Sequence, residues 1–162
     1  MIDILAIGAH PDDVELGAAG FLMKMKDLGY KTAVLDLTRG EMGSRGSADI
    51  RAREADAAAE LMGLEERRSL DLRDSHLEIT LENRHKLAKV IRELKPTFLI
   101  APYFVDKHPD HGIAGRLVKL ASFDARLKKL DLEVEPHPVR KIFYFPCHQY
   151  FDPDFVVDIT GY

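Results

Sequence analysis

The sequence predicts an α/β fold in which a mainly parallel sheet is covered by helices on both faces. Three observations carry this. Short apolar runs of strand length alternate with stretches of helical period along the whole chain. The intervals between strand candidates suit helical crossovers, which in parallel units are right-handed. The apolar runs Ile4–Gly8 and Thr97–Ala101 are continuous rather than alternating, as expected of strands buried on both faces.

The elements follow in order. Ile4–Gly8 reads as the first strand. From Val14 to Leu28 the apolar residues Val14, Leu16, Phe21, Leu22, Met25 and Leu28 mostly keep helical spacing, and Gly29 supplies a stop. Lys31–Thr38 is the second strand and runs into the glycine-rich loop Arg39–Gly46. Asp49 can cap a helix that continues through an alanine-rich stretch to Met62, with Gly63 as its end. A short strand near Arg68–Leu72 leads to the turn Arg73-Asp74-Ser75-His76. The stretch Glu82–Leu94 is amphipathic, with Leu87, Val90, Ile91 and Leu94 on one face, and Pro96 ends it. After Thr97–Ala101, a helix is expected from Asp110 to about Leu130, and two late strands at Lys141–Phe145 and Phe155–Ile159. With no linker, repeat or low-complexity tract, residues 1–162 read as one domain.

A chain of 162 residues can bury roughly 70% of its unfolded surface, so a core forms without disulfides or a structural metal. The 23 basic and 27 acidic residues leave a formal charge of −4. That balance offers no electrostatic reason for nucleic acid or an anionic membrane as partner. Cys147 is the single cysteine, which excludes an internal disulfide and a cysteine-based zinc finger and suits a reducing, cytoplasmic setting. The start of the sequence, with Asp3 and an apolar run broken at Gly8 and Pro11, does not read as a signal peptide, and no apolar stretch is long enough to span a bilayer.

Two motifs carry chemistry: Ala9-His10-Pro11-Asp12-Asp13 after the first strand, and His108-Pro109-Asp110-His111 after the Thr97–Ala101 strand. Both lie beyond the carboxyl ends of predicted parallel strands, where open α/β sheets bind ligands. A catalytic zinc site needs about three N or O ligands and an open position, which two histidines and one carboxylate supply. Of the adjacent pair Asp12 and Asp13, one can ligate while the other acts as general base. In the second motif one histidine can ligate while the other stays free, held by Asp110 in a His–carboxylate pair that favours the protonated ring. Taken singly, either motif reads as a loop with a helix-capping aspartate; their pairing at two strand ends is what points to a metal.

The paired motifs AHPDDVE (Ala9–Glu15) and HPDH (His108–His111) resemble those of the LmbE-like or PIG-L family of zinc-dependent N-deacetylases, whose fold is a Rossmann-like three-layer α/β/α sandwich with its metal site at the carboxyl ends of the strands. Within it, Asp36–Gly46 looks most like the bacillithiol-pathway branch, which removes acetyl from N-acetylglucosaminyl L-malate. By position, the resemblance implies one Zn²⁺ held by His10, Asp13 and His111, with Asp12 as general base and His108, oriented by Asp110, as the second catalytic group. It implies Ser44, Arg53 and Asp74 as substrate contacts, Arg53 as a fork for malate. It also implies a homo-oligomer, a hexamer in many members. Iron or cobalt suits the same ligands. Members continue past the Val156-Val157-Asp158-Ile159-Thr160 stretch, so the 162 residues are expected to lack a C-terminal portion of the domain.

Competing readings are the same chemistry on another N-acetylated sugar, and a metal- or nucleotide-binding module without turnover. The glycine loop lacks the P-loop pattern, and no G-x-G-x-x-G follows the first strand. Arg53 paired with Glu54 or Asp49 and Asp74 as turn chemistry are the structural alternatives. His148 can line the pocket, and Cys147 reads as a buried small hydrophobe.

Overall fold

The computed structural model describes residues 1–44 and 47–162. Five strands, β1 (Ile4–Gly8), β2 (Thr32–Thr38), β3 (Glu66–Leu72), β4 (Phe98–Pro102) and β5 (Lys141–Phe145), alternate with four helices, α1 (Asp13–Asp27), α2 (Ala48–Met62), α3 (Leu81–Leu94) and α4 (Pro109–Ala125). The sheet order is β3-β2-β1-β4-β5 and every pairing is parallel. The predicted fold class is therefore the observed one.

Strand alternation divides the core in two. Leu5, Ile7, Leu35, Leu37 and Leu99 point to one face, where Leu87 and Ile91 of α3 and Leu117, Val118 and Ala121 of α4 cover them. Ile4, Ala6, Val34 and Ile100 point to the other, against Val14, Ala18 and Leu22 of α1 and Met62 of α2. The chain runs outward from β1 to β3, then returns to β4 on the opposite side of β1. That reversal is a topological switch point, and the loops after β1 and β4 both open into it.

Helix ends are set by local chemistry. Ser47, not Asp49, caps α2: its hydroxyl accepts the Ile50 N–H at 3.3 Å, the more favourable position three residues back. Thr80 does the same for α3. Helix α4 begins at His108 with Pro109 in its first turn and stops at Ala125, short of the predicted Leu130. The reason is Arg92, 1% exposed, whose guanidinium donates to the carbonyls of Asp124, Ala125, Leu127, Leu130 and Val134. Those carbonyls turn inward around the cation instead of continuing a helix.

The expected strand at Phe155–Ile159 is absent; that stretch is irregular. It is drawn onto α1 rather than alongside β5: Ile159 packs on Gly20, Lys24 Nζ donates to the Asp158 carbonyl, and the Tyr162 hydroxyl donates to Asp27 at 2.9 Å.

Candidate metal centre

The loop after β1 is tight. A Cβ on Gly8 would lie 3.0 Å from the His10 carbonyl and 3.2 Å from the Asp13 Cβ, so the close return of the chain needs glycine. Thr38, at the end of β2, anchors the same loop: its N–H and hydroxyl both donate to the Ala9 carbonyl, at 3.0 and 2.9 Å. Asp12 then takes φ 116°, a strained left-handed conformation for a residue with a side chain. The consequence is that Asp12 and Asp13, neighbours in sequence, face different ways.

Asp13 turns inward. Its Oδ2 accepts the backbone N–H groups of Ala9 (2.8 Å) and His10 (2.9 Å), which leaves Oδ1 3.0 Å from His111 Nε2. His10 Nδ1 lies 3.5 Å from the Asp13 carboxylate. One ligand atom from each of His10, Asp13 and His111 falls within 4.8 Å of the others, and all three residues are buried.

Each histidine has a carboxylate behind it. His10 Nε2 sits 3.1 Å from Asp74 and 3.2 Å from Asp110, and His111 Nδ1 sits 3.1 Å from Asp106. This is how metal-binding imidazoles are oriented, with the far ring nitrogen held so that the near one faces the ion. Asp13, Asp74, Asp106 and Asp110 thus surround two imidazoles, and the cluster is short of positive charge. Burial alone would lower the His10 pKa, but the Asp13, Asp74 and Asp110 carboxylates override it and raise it to about 9. Burial likewise works against His111, and Asp13 and Asp106 push its pKa up. Asp13, despite burial, is held well below the usual carboxylate range by the two histidines. A site that recruits protons this strongly, with two imidazoles and a carboxylate as donors, fits a divalent cation such as Zn²⁺.

Asp12 turns outward. Its side chain is 59% exposed, and Arg51 of α2 donates to it at 2.9 Å and also to the Pro11 carbonyl. Partial burial raises the Asp12 pKa, and Arg51 opposes that shift. Beside Asp12 lies an open cavity of about 540 Å³ lined by Pro11, Asp12, Glu15, Ser44, Arg51 and Glu54 among others. Glu15 of this lining accepts from Arg67 of β3 at 2.6 Å, and Arg67 also donates to both oxygens of Asp36 (2.8 and 3.1 Å), tying the start of α1 to the sheet.

Several expected placements change. Asp110 does not pair with His108: its carboxylate is turned to His10 and to the Ser75 N–H at 2.9 Å, because Asp110 lies in the first turn of α4 facing β1. His108 is instead the N-cap of α4, its Nδ1 accepting the Asp110 N–H at 3.3 Å. Burial and the neighbouring His111 and His10 lower its pKa. Asp74 is 4% exposed and committed inward, to His10 and to the Met42 N–H, rather than open to a sugar. Arg53 is exposed and donates to the Asp49 carbonyl of its own helix; it does not line the cavity, and Arg51, two residues earlier in the same helix, does. Ser44 lines the cavity as expected, while its neighbours Arg45 and Gly46 lie outside the described residues.

Sequence reasoning missed Asp106 and Arg51. Asp106 accepts the N–H groups of His108 (2.8 Å), His148 (2.9 Å) and Gln149 (3.0 Å) besides facing His111. Burial opposes its ionisation, but these donors hold its pKa down at about 2. Its position two residues before His108 was the only available signal.

Fold and donor set together define an α/β protein with a buried His–Asp–His metal-binding group at its sheet switch point. Residues 5–122 match the family described as PIG-L: GlcNAc-PI de-N-acetylase, and the chain belongs to that family. It is 31% identical to the diacetylchitobiose deacetylase of Thermococcus kodakarensis over 97% of its own length and 63% of that protein's. It is 30% identical to a probable N-acetyl-alpha-D-glucosaminyl L-malate deacetylase 2 of Bacillus anthracis, over 71% of its length and 57% of that protein's. Among solved structures, the conserved protein TT1542 from Thermus thermophilus superposes with a TM-score of 0.96 at 43% identity, covering 99% of this chain and 73% of the other. The chain thus spans about three-fifths of the length of these two curated relatives. Among the described residues, no helix is long and apolar enough to cross a membrane.

Proposed function

We propose that the protein is a metal-dependent hydrolase that removes acetyl from an N-acetylglucosaminyl conjugate. The observation that carries this is the division of labour within Asp12-Asp13: one carboxylate buried between two histidines, the other exposed beside an open cavity. His10, Asp13 and His111 would hold Zn²⁺. A zinc ion supplies a lowered water pKa and a polarised acetyl carbonyl.

The residues do the rest. Asp12, held by Arg51 and by its strained backbone, accepts the proton of the attacking water at its carboxylate. His108 acts as a neutral donor: Nδ1 accepts the Asp110 N–H, so the ring proton sits on Nε2, where it can stabilise the oxyanion. Asp110 and Asp74 orient His10, and Asp106 orients His111. Both relatives bear names of deacetylases of N-acetylated sugars, which supports the substrate class.

Within that class, N-acetylglucosaminyl L-malate is the substrate read from the loop Asp36–Gly46, but Arg53 is turned away from the cavity and Arg51 is engaged by Asp12 and Pro11. Neither of these two arginines is free as a fork for malate, and diacetylchitobiose, for which a 31% identical relative is named, stands beside N-acetylglucosaminyl L-malate as a substrate to be tested. The test is acetate release by the zinc-loaded protein from diacetylchitobiose, N-acetylglucosaminyl L-malate and N-acetylglucosamine. Release from the first, abolished by chelation, is expected; release from none refutes the reading.

A further inference from the structure

Beyond β5 the chain returns to the metal-binding group. The N–H groups of His148 and Gln149 both donate to Asp106 Oδ2, so a carboxylate of the β4–α4 loop fixes the backbone of the segment after β5. The His148 ring then lies over His111, with centroids 5.1 Å apart and planes 7° from parallel, and stands 6.4 Å from His108. His148 Nδ1 is 3.5 Å from Asp106 Oδ1.

This ring is anchored on one side and open on the other. Asp106 is 1% exposed and the His148 side chain 59%. Nδ1 lies on the side of the carboxylate, and the other ring nitrogen, Nε2, has no partner among the described residues. A second cation between Asp106, His111 and His148 is geometrically within reach, since their donor atoms lie within 4.8 Å. The bonds already made argue against it: three backbone N–H groups and the His111 ring occupy the Asp106 oxygens. Asp106 is an anchor, and the free group it presents is the His148 edge.

We propose that His148 is a further substrate-contacting residue of this site, its Nε2 hydrogen-bonding a hydroxyl of the N-acetylated sugar. The assignment rests on the sugar-deacetylase reading above. Stacked on a metal ligand and fixed by two hydrogen bonds of its own loop, the ring forms a wall of the site and offers an exposed imidazole edge where His10 and His111 are buried.

The experiment titrates the zinc-loaded protein with N-acetylglucosamine while following the ¹⁵N resonances of the His148 ring. Parallel titrations use His148→Phe, which keeps a stacked ring without Nε2, and His148→Ala, with zinc content measured for each. A saturable shift at His148 Nε2 is expected, together with sugar binding weakened about five- to tenfold in both variants at unchanged zinc content. An unmoved His148 resonance on sugar binding, or a Phe variant that binds as tightly as the parent, overturns the proposal; so does loss of zinc in the Ala variant alone, which would make the ring a shield for the metal. Acetate release with an unmoved His148 defeats this inference and leaves the deacetylase reading standing. A moved His148 without acetate release does the reverse, and absence of sugar binding defeats both.

Discussion

Asp13 Oδ1 lies 3.0 Å from His111 Nε2, while the other Asp13 oxygen is held by two backbone N–H groups of its own loop. The hydrogen bonds of its own loop therefore fix the direction of this carboxylate. The two residues stand in the first turns of α1 and α4, almost a hundred positions apart, joined because β1 and β4 are hydrogen-bonded neighbours.

Asp13→Asn should strip the metal, since an amide supplies neither the charge nor the second acceptor oxygen that the loop requires. Asp106→Asn acts at one remove, loosening His111, and should weaken zinc binding roughly 10- to 100-fold with the fold intact. Chelator competition measures both. Equal zinc affinity in the Asp106 variant would show that the contact to His111 is incidental.

Asp12→Asn should keep zinc and lose turnover by about 10²- to 10⁴-fold, since in the proposed mechanism the outward carboxylate takes the proton of the reacting water and is not a metal ligand. Steady-state kinetics beside metal analysis separates this from the Asp13 result. Parallel loss of metal and activity would mean that both aspartates ligate.

Cys147 should resist alkylation. Burial, reinforced by the Asp13, Asp106 and Asp12 carboxylates, pushes its thiol up to about 12. At pH 8 labelling should run about a thousandfold slower than for a free thiol and recover on unfolding. Because the folded pKa lies above the unfolded value near 8.5, this group's contribution to stability is complete below about pH 8.5 and lost as pH rises toward 12. Cys147→Ala should flatten that alkaline decline, measured by chemical denaturation across the range.

Arg92→Ala should cost about 3 kcal/mol or more, leaving inward-turned carbonyls without donors. A fall in Tm of about 10 °C is the expected readout. Arg92→Lys should recover only part of it, because an ammonium cannot reach all of those carbonyls at once. A Tm within a degree of the parent would show that water replaces the guanidinium.

Local patterning made most of the fold legible. Apolar runs and helical periods depend on residues within one or two turns of each other, so β1, β2, β4, β5 and the amphipathic α3 stand in the sequence near their true bounds. The exceptions were settled by distant partners: α4 ends early because Arg92 of α3 takes its carbonyls, and Phe155–Ile159 is no strand because α1 holds it. The same division runs through the site. His10, Asp12, Asp13, His108, Asp110 and His111 are visible as two short motifs at strand ends, and their chemistry as donors is intrinsic to the residue types. Which carboxylate serves which imidazole is not local information. Asp110 orients His10 from 100 residues away, Asp74 does so from the turn after β3, and Arg51 rather than Arg53 meets Asp12 because the helical phase of α2 against the β1 loop selects one of two nearly equivalent arginines. The sequence alone determined the layers and the donor set; only packing of the loops at the β1–β4 switch point decided the pairing of charges, since that depends on side-chain directions across elements that no spacing along the chain encodes.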